Sequence, residues 1–373
     1  MNKIAIFTGS RAEYGLMRIL LMKLKNDKVF DYELLVSGSH FDPKFGNTIN
    51  EIKKDGLVNI RFVPIDIESS ERKKMSLQTA EVIKLISSVL DELAPKYLIV
   101  LGDRYETFGA AAAAHLLGIE IIHLHGGETS LGALDDKLRH AISQLSTIHF
   151  TSLDIHAKKV QNIIGSKKNV FNVGPMVIDG LLNFNLLSKN EFEEETGFLF
   201  SNRNLLITYH PETLSSDYGL GGFENLLSIL HNYDFNILFT APNADYGSNQ
   251  IIKLINQFIS KKQSQTFYIP SLGQKLYLNA IALFDLIIGN SSSGIIEAPL
   301  LNKKVLNIGN RQKGRYRFGP VIDINNDLES ISYAFEKVLN INESKNFDFI
   351  KFKEIYGKRS PSDQIIKILK NFD

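Results

Sequence analysis

Apolar residues in this chain come in short unbroken runs. Each run is followed by a small or polar corner and then by a stretch of helical amphipathicity. "KIAIFT" leads to a helix near 14–26, and "YELLVSG" to one near 46–55. "YLIVLG" leads to "YETFGAAAAAHLLG", and "EIIHLHGG" to a helix near 135–146. Runs that are apolar throughout, rather than alternating, are the pattern of parallel strands buried on both faces. Their alternation with helices predicts βαβ units and a doubly wound sheet.

The pattern then restarts. "NLLITYHP", "FNILFTAPN", "QTFYIPS", "FDLIIGN" and "KKVLNIG" are five more candidate strands spaced by helices. Between the two series, "VFNVGPMVIDG" carries Gly174 and Pro175 as punctuation. The organisation expected is an N-terminal Rossmann-like domain over 1–174 and a C-terminal one over 175–350. A terminal helix over 351–373, interrupted near Pro361, is expected to pack back on the first domain. The polar corners fall at the carboxyl ends of the predicted strands, where open α/β sheets bind ligands.

Composition narrows the function. The 373 residues are enough for two domains, and 44% are apolar, so a large core is available. Lys and Arg number 42 against 41 Asp and Glu, which argues against broad nucleic-acid binding. There is no cysteine, so disulfides, thiolate nucleophiles and Cys-ligated metals are excluded. The apolar run at the N-terminus is too short for a signal peptide, and no segment reads as a membrane span. A cytoplasmic protein is expected.

The corners carry the candidate chemistry. "GNSSSGIIEAP" (289–299) follows a buried run. Hydroxyls and backbone N–H groups at a helix N-terminus make an anion site, whereas capping alone accounts for one serine of the three. No Walker A and no G-x-G-x-x-G after the first strand are present, so neither an ATPase nor an ordinary NAD-linked dehydrogenase is supported. In "TGSRAEYG", Arg11 is either a phosphate clamp or a solvated loop residue. In "LGDRYE", Asp103 is either a cleft carboxylate or the N-cap of the next helix, and Arg104 follows it. "HLHGGETSLGALDDKLRH" (123–140) sets His123 and His125 two apart on a strand, hence on one face. Glu128 follows a Gly–Gly turn, and Asp135 and Asp136 open a helix. A third metal ligand has no recognisable spacing there, so acid–base work is the better reading than metal binding. "YHPET" contributes His210, "APNADYGS" contributes Asn243 and Asp245, and "GNRQKGRYR" concentrates basic groups.

Taken in order, these corners resemble those of the hydrolysing UDP-N-acetylglucosamine 2-epimerases, above all the bacterial type that feeds sialic or legionaminic acid synthesis. The resemblance spans residues 4 to about 317. It implies the glycosyltransferase-B-type architecture, two Rossmann-like domains with a UDP-sugar in the cleft. It also implies a two-step reaction: elimination of UDP to a 2-acetamidoglycal, then addition of water with inversion at carbon 2. No metal and no cofactor are implied. The partners implied are the UDP-sugar substrate and UDP product, in a homodimer or homotetramer.

By motif position, Asp103 and Asp135 match the acid–base set. Many relatives carry Glu where this chain has His125, so His125, with Glu128 nearby, becomes the candidate for the second proton transfer. His210, Arg11, Ser291, Ser292, Glu297 and Arg311 match diphosphate or nucleotide-sugar contacts, and Asn243 a UDP-side position; His210 is also counted with the catalytic candidates, and Arg104 with the substrate-binding ones. The loop "SGSHFDPKFGN", with His40, is expected to face the sugar. A glycosyltransferase would share the cradle but needs no carboxylate–histidine cluster opposite it. A non-hydrolysing epimerase and a UDP-sugar sensor are the remaining rivals. The sugar is expected to be UDP-N-acetylglucosamine, with UDP-N,N′-diacetylbacillosamine as the alternative.

Overall fold

A computed structural model describes residues 2–45, 48–65, 72–319, 321–339 and 360–372. The first sheet has seven strands: β1 (Asn2–Thr8), β2 (Phe30–Val36), β3 (Ile60–Phe62), β4 (Tyr97–Leu101), β5 (Glu120–Leu124), β6 (Ile148–Thr151) and β7 (Val170–Asn172). Their order is β3-β2-β1-β4-β5-β6-β7. The second sheet has six: β8 (Asn204–Thr208), β9 (Asn236–Phe239), β10 (Thr266–Tyr268), β11 (Leu286–Gly289), β12 (Val305–Ile308) and β13 (Ile322–Ile324). Their order is β10-β9-β8-β11-β12-β13. Every strand pairing is parallel. The strands β4, β8, β11 and β12 are buried at every position, as apolar runs between two helix layers should be.

Helices α1 (Arg11–Asn26), α2 (Ile49–Lys54), α3 (Arg72–Leu93), α4 (Tyr105–Leu116), α5 (Asp135–Leu145) and α6 (Asp154–Ile164) cover the first sheet. Helices α7 (Val177–Leu182) and α8 (Lys189–Thr196) lead into the second sheet. That sheet is followed through by α9 (Leu220–Leu230), α10 (Ser248–Lys261), α11 (Gly273–Leu283), α12 (Glu297–Leu300) and α13 (Leu328–Leu339). Among the described residues no helix is long and apolar enough to cross a membrane.

Local chemistry sets several boundaries. Helix α1 begins at Arg11, earlier than the periodicity predicts, because Ser10 and Glu13 form a capping box. The alanine run of α4 joins Val82, Ile86 and Leu90 of α3 in one apolar cluster. The last described helix, α14 (Pro361–Lys370), starts at Pro361. Proline tolerates the first helical turn, where its missing N–H is not needed. Residues 351–359 lie outside the described residues. Ile365, Ile366 and Leu369 of α14 join the core around β1 and α1. The Asp179 carboxylate in α7 accepts from Ser360 Oγ at 2.6 Å and from Ser362 N at 2.9 Å, fastening the start of α14.

Both sheets reverse their strand order beside the first strand of each, between β1 and β4 and between β8 and β11. Ligand crevices form outside the carboxyl ends of strands at such points. All the polar corners singled out in the sequence lie at these ends.

Candidate active site

On the second sheet, buried Asn290 ties three corners into one unit. Its Oδ1 accepts from His210 N at 2.7 Å, and its Nδ2 donates to the His210 carbonyl at 2.8 Å. Its own carbonyl accepts from Gln312 Nε2 at 2.7 Å and from Arg311 Nη1 at 3.2 Å. Ser293 turns inward onto Tyr277 OH at 2.6 Å and Ser291 Oγ at 3.0 Å. Ser291 and Ser292 stay partly exposed on the cleft wall. The serines open a three-residue 3-10 turn, Ser292–Gly294, and the short α12, not the full helix expected from sequence. Asn302, left-handed at φ 58°, follows α12 closely. A helix this short has little macrodipole, so the groups this corner offers to an anion are its hydroxyls, turn N–H groups and Arg311.

His210 lines the same wall. Its Nδ1 accepts from Asn243 N at 2.9 Å. Burial, reinforced by Arg311, Arg11 and Arg104, holds its pKa well below the usual histidine range. The ring is therefore held neutral with its proton on Nε2, which is left as a hydrogen-bond donor. Glu297 also lines the cleft, and its Oε2 is buried with no partner among the described residues. Burial pushes its carboxyl up to about 6.

On the first sheet, Asp103 and Asp135 both line the cleft. Asp103 is not a helix cap, since Arg104 occupies the N-cap position of α4. Its carboxylate is paired with Arg139 Nη2. Arg139 is 2% exposed and also donates to the His125 carbonyl at 3.0 Å. Asp135 stands one turn earlier on the same helix, and no hydrogen bond or ion pair among the described residues reaches its carboxyl. Burial first, then the charges of Asp103 and Asp245, push it up to about 8, against the opposing pull of Arg104 and Arg311. Two neighbouring carboxyls thus stand in opposite environments.

The histidine motif differs from expectation. His123 and His125 do not share a strand face, because β5 ends at Leu124 and His125 turns left-handed at φ 63°. His123 is buried, with its ring between Ser143 Oγ at 3.1 Å and the Gly102 carbonyl at 2.8 Å. His125 reaches the cleft, but both ring nitrogens are engaged. Nε2 accepts from Met176 N at 3.1 Å, and Nδ1 lies 3.0 Å from Glu128 Oε1. Glu128 also accepts from Ser152 Oγ at 2.8 Å and from Arg315 Nη2 at 2.5 Å. Burial alone would raise its pKa, but Arg315, His125 and Arg139 hold it well below the usual carboxylate range. Glu128 is thereby held as a carboxylate with both oxygens engaged.

His40 also departs from expectation. It is fully buried, with Nε2 3.0 Å from Thr8 Oγ1 and Nδ1 2.7 Å from Thr48 Oγ1. It braces the corner behind Arg11 and does not line the cleft.

Several bonds join the two sheets' corners. Arg11 Nη1 donates to the Pro270 carbonyl at 2.7 Å, and Arg104 Nη1 to Asp245 Oδ1 at 3.3 Å. Leu131 N donates to the Lys313 carbonyl at 3.1 Å. Gly132 rests directly on the Asn310 carbonyl, where any Cβ would overlap it.

The family model described as UDP-N-acetylglucosamine 2-epimerase matches residues 22–370. The chain belongs to the UDP-N-acetylglucosamine 2-epimerase family. A Campylobacter jejuni relative named GDP/UDP-N,N′-diacetylbacillosamine 2-epimerase (hydrolysing) is 34% identical over 93% of this chain and 88% of its own. A polysialic acid biosynthesis protein of Escherichia coli is 34% identical over 100% of this chain and 94% of its own. The crystal structure of a Neisseria meningitidis UDP-GlcNAc 2-epimerase bound to UDP-GlcNAc superposes with a TM-score of 0.80, at 19% identity, covering 100% of both chains. The fold is the two-domain, glycosyltransferase-B-like one expected from the motifs.

In this member of the epimerase family, three further charged groups line the cleft, Glu13, Arg139 and Arg315, and Asp245 holds Arg104 beside it. Glu13 accepts from Gly9 N at 2.6 Å and Thr107 Oγ1 at 2.9 Å, and burial raises its carboxyl to about 7. The sequence holds a signal for Arg139, which lies one helical turn after Asp135 and so shares its face. Asp245 in "APNADYGS" and Arg315 in "GNRQKGRYR" fall in corners singled out from the sequence, but their partners come from the other sheet, which no local pattern encodes.

Proposed function

We propose that the chain is a hydrolysing 2-epimerase converting UDP-N-acetylglucosamine to UDP and N-acetylmannosamine. The observation that carries this reading is the unlike pair Asp103 and Asp135, facing an anion cradle across one cleft. In the first step the Asp103 carboxylate takes the proton from carbon 2. The bond from carbon 1 to the diphosphate oxygen breaks, and its electron pair leaves with UDP, giving the 2-acetamidoglycal. Ser291, Ser292, Arg11, Arg311 and the His210 Nε2–H stabilise the departing charge. The unpartnered Glu297 carboxylate accepts from a ribose hydroxyl, and Asn243 and Arg104 bound the same pocket.

In the second step protonated Asp135 gives its proton to carbon 2, and water bonds to carbon 1. The water's remaining proton restores the carboxyl, and the proton held by Asp103 is released with UDP. Asp135 takes the donor role in preference to His125 and Glu128, because their hydrogen-bonding groups face each other, Met176 and Arg315. His125 then orients the loop.

UDP-N,N′-diacetylbacillosamine is the second reading, supported by the name of the 34% identical Campylobacter jejuni relative. Kinetics on both UDP-sugars, following free UDP and free sugar together, test the proposal. Hydrolysing epimerisation requires equal release of both, and a UDP-sugar product with no free UDP overturns it.

A further inference from the structure

Asp245 belongs to the corner after β9, yet its carboxylate serves the first sheet. It is 4% exposed, and its Oδ1 accepts from Arg104 Nη1 at 3.3 Å. Its backbone is fixed by Ser248, whose Oγ accepts from Asp245 N at 3.0 Å and donates to the Asp245 carbonyl at 2.5 Å. The other edge of Arg104 is held by Glu106, which accepts from Nε at 3.1 Å and from Nη2 at 3.0 Å. Two carboxylates thus occupy the guanidinium, and none of its hydrogen bonds goes to Asp135.

The charged groups facing Asp135 come from three corners: Asp103 and Arg104 after β4, Asp245 after β9, and Arg311 after β12. On its own helix, Arg139 is spent on Asp103. Asp136 accepts from Ser130 N at 2.6 Å and lies 3.6 Å from His140 Nε2. Arg311 donates to the Asn290 carbonyl. Arg104 is the first of the two cations whose charge acts on Asp135, and Asp245 engages it from the corner after β9.

We propose that Asp245 is a positioning residue of the reaction: it holds Arg104 from the opposite sheet and so leaves Asp135 without a cationic partner, free to act as proton donor. This rests on the reading of Asp135 given above. The consequence is that the proton donor is prepared only where the two sheets meet, since its controlling charge lies on the domain that also holds the cradle. Asp245 adds its own negative charge to the same effect, being among the groups that raise the Asp135 carboxyl.

The test is the pH dependence of free-sugar formation by the full-length Asp245→Asn enzyme, beside Asp245→Glu, Asp245→Ser and Asp135→Asn. Asp135 works protonated, so the rate is lost as pH rises through its pKa. Removing the Asp245 charge lets Arg104 turn to Asp135 and lowers that pKa. The alkaline limb of kcat therefore moves down by about one pH unit or more, the shift a newly available cation brings. Asp245→Glu keeps the limb in place. Asp245→Ser supplies the same readout as Asp245→Asn if the amide disturbs folding. A uniform loss at every pH with the limb unmoved overturns the proposal and makes Asp245 a structural contact. If Asp135→Asn still forms free sugar at near the original rate, the reading of Asp135 falls instead. An inactive Asp135→Asn beside an unmoved limb removes the Asp245 proposal alone.

Discussion

The Glu128 carboxylate on the first sheet and the Arg315 guanidinium on the second meet at 2.5 Å, both largely shielded from solvent. They are 187 residues apart in sequence. Breaking a buried pair by removing one partner leaves the other charge uncompensated, at a cost of about 3–5 kcal/mol. Glu128→Gln and Arg315→Met should each lower the melting temperature and raise KM for the UDP-sugar. The double variant should lose less than the sum of the two. Additive losses in a double-mutant cycle would show that the pair contributes nothing as a pair.

Ser291 and Ser292 are the cradle hydroxyls left facing the cleft while Ser293 is turned inward. Replacing both with Ala should weaken UDP binding by about 1–3 kcal/mol, the range for hydrogen bonds to charged groups. Titration calorimetry gives the answer directly, and an unchanged affinity removes the diphosphate assignment.

His125 holds the loop between Met176 N and Glu128. A ring nitrogen that accepts from a backbone N–H has no proton to give there. His125→Ala should therefore slow both steps together, with no free 2-acetamidoglycal in the mass spectrum of the products. Glycal accumulating beside UDP would return the hydration step to His125.

The corners were legible in sequence because each follows an apolar run buried on both faces, and such a run ends at a ligand-facing edge. Asp103, Asp135, His210, Ser291, Ser292, Glu297 and Arg311 all line the cleft for that reason. What the sequence could not carry is backbone direction past a strand end and contacts between sheets. His125 leaves the face of His123 through one left-handed residue. His40 sits in a loop expected to face the sugar, but it is sealed between two threonines. Arg139, Arg315 and Asp245 acquire their roles from partners that no local period encodes.

Buried neutral histidines make stability depend on pH. Burial lowers His40 and His123 to about 3, against about 6.5 in an unfolded chain. Between those values the unfolded chain takes up protons that the folded one does not. Their contribution is complete above about pH 6.5 and is lost as pH falls toward 3. The melting temperature should drop as pH falls from 7 to 5, and His123→Gln should show a shallower drop. An equal slope in variant and parent, by calorimetry at matched ionic strength, would contradict the assignment.

The division of labour between Asp103 and Asp135 is the centre of the account, and the products of Asp135→Asn test it most directly. The variant keeps Asp103, Arg139 and the cradle, so it should still eliminate UDP. It lacks the donor for carbon 2, a role worth roughly 10²–10⁴-fold in rate. Mass spectrometry of the released sugar should show the 2-acetamidoglycal accumulating in step with UDP and little epimerised sugar. Epimerised sugar and UDP formed in equal amounts at close to the parent rate would contradict it.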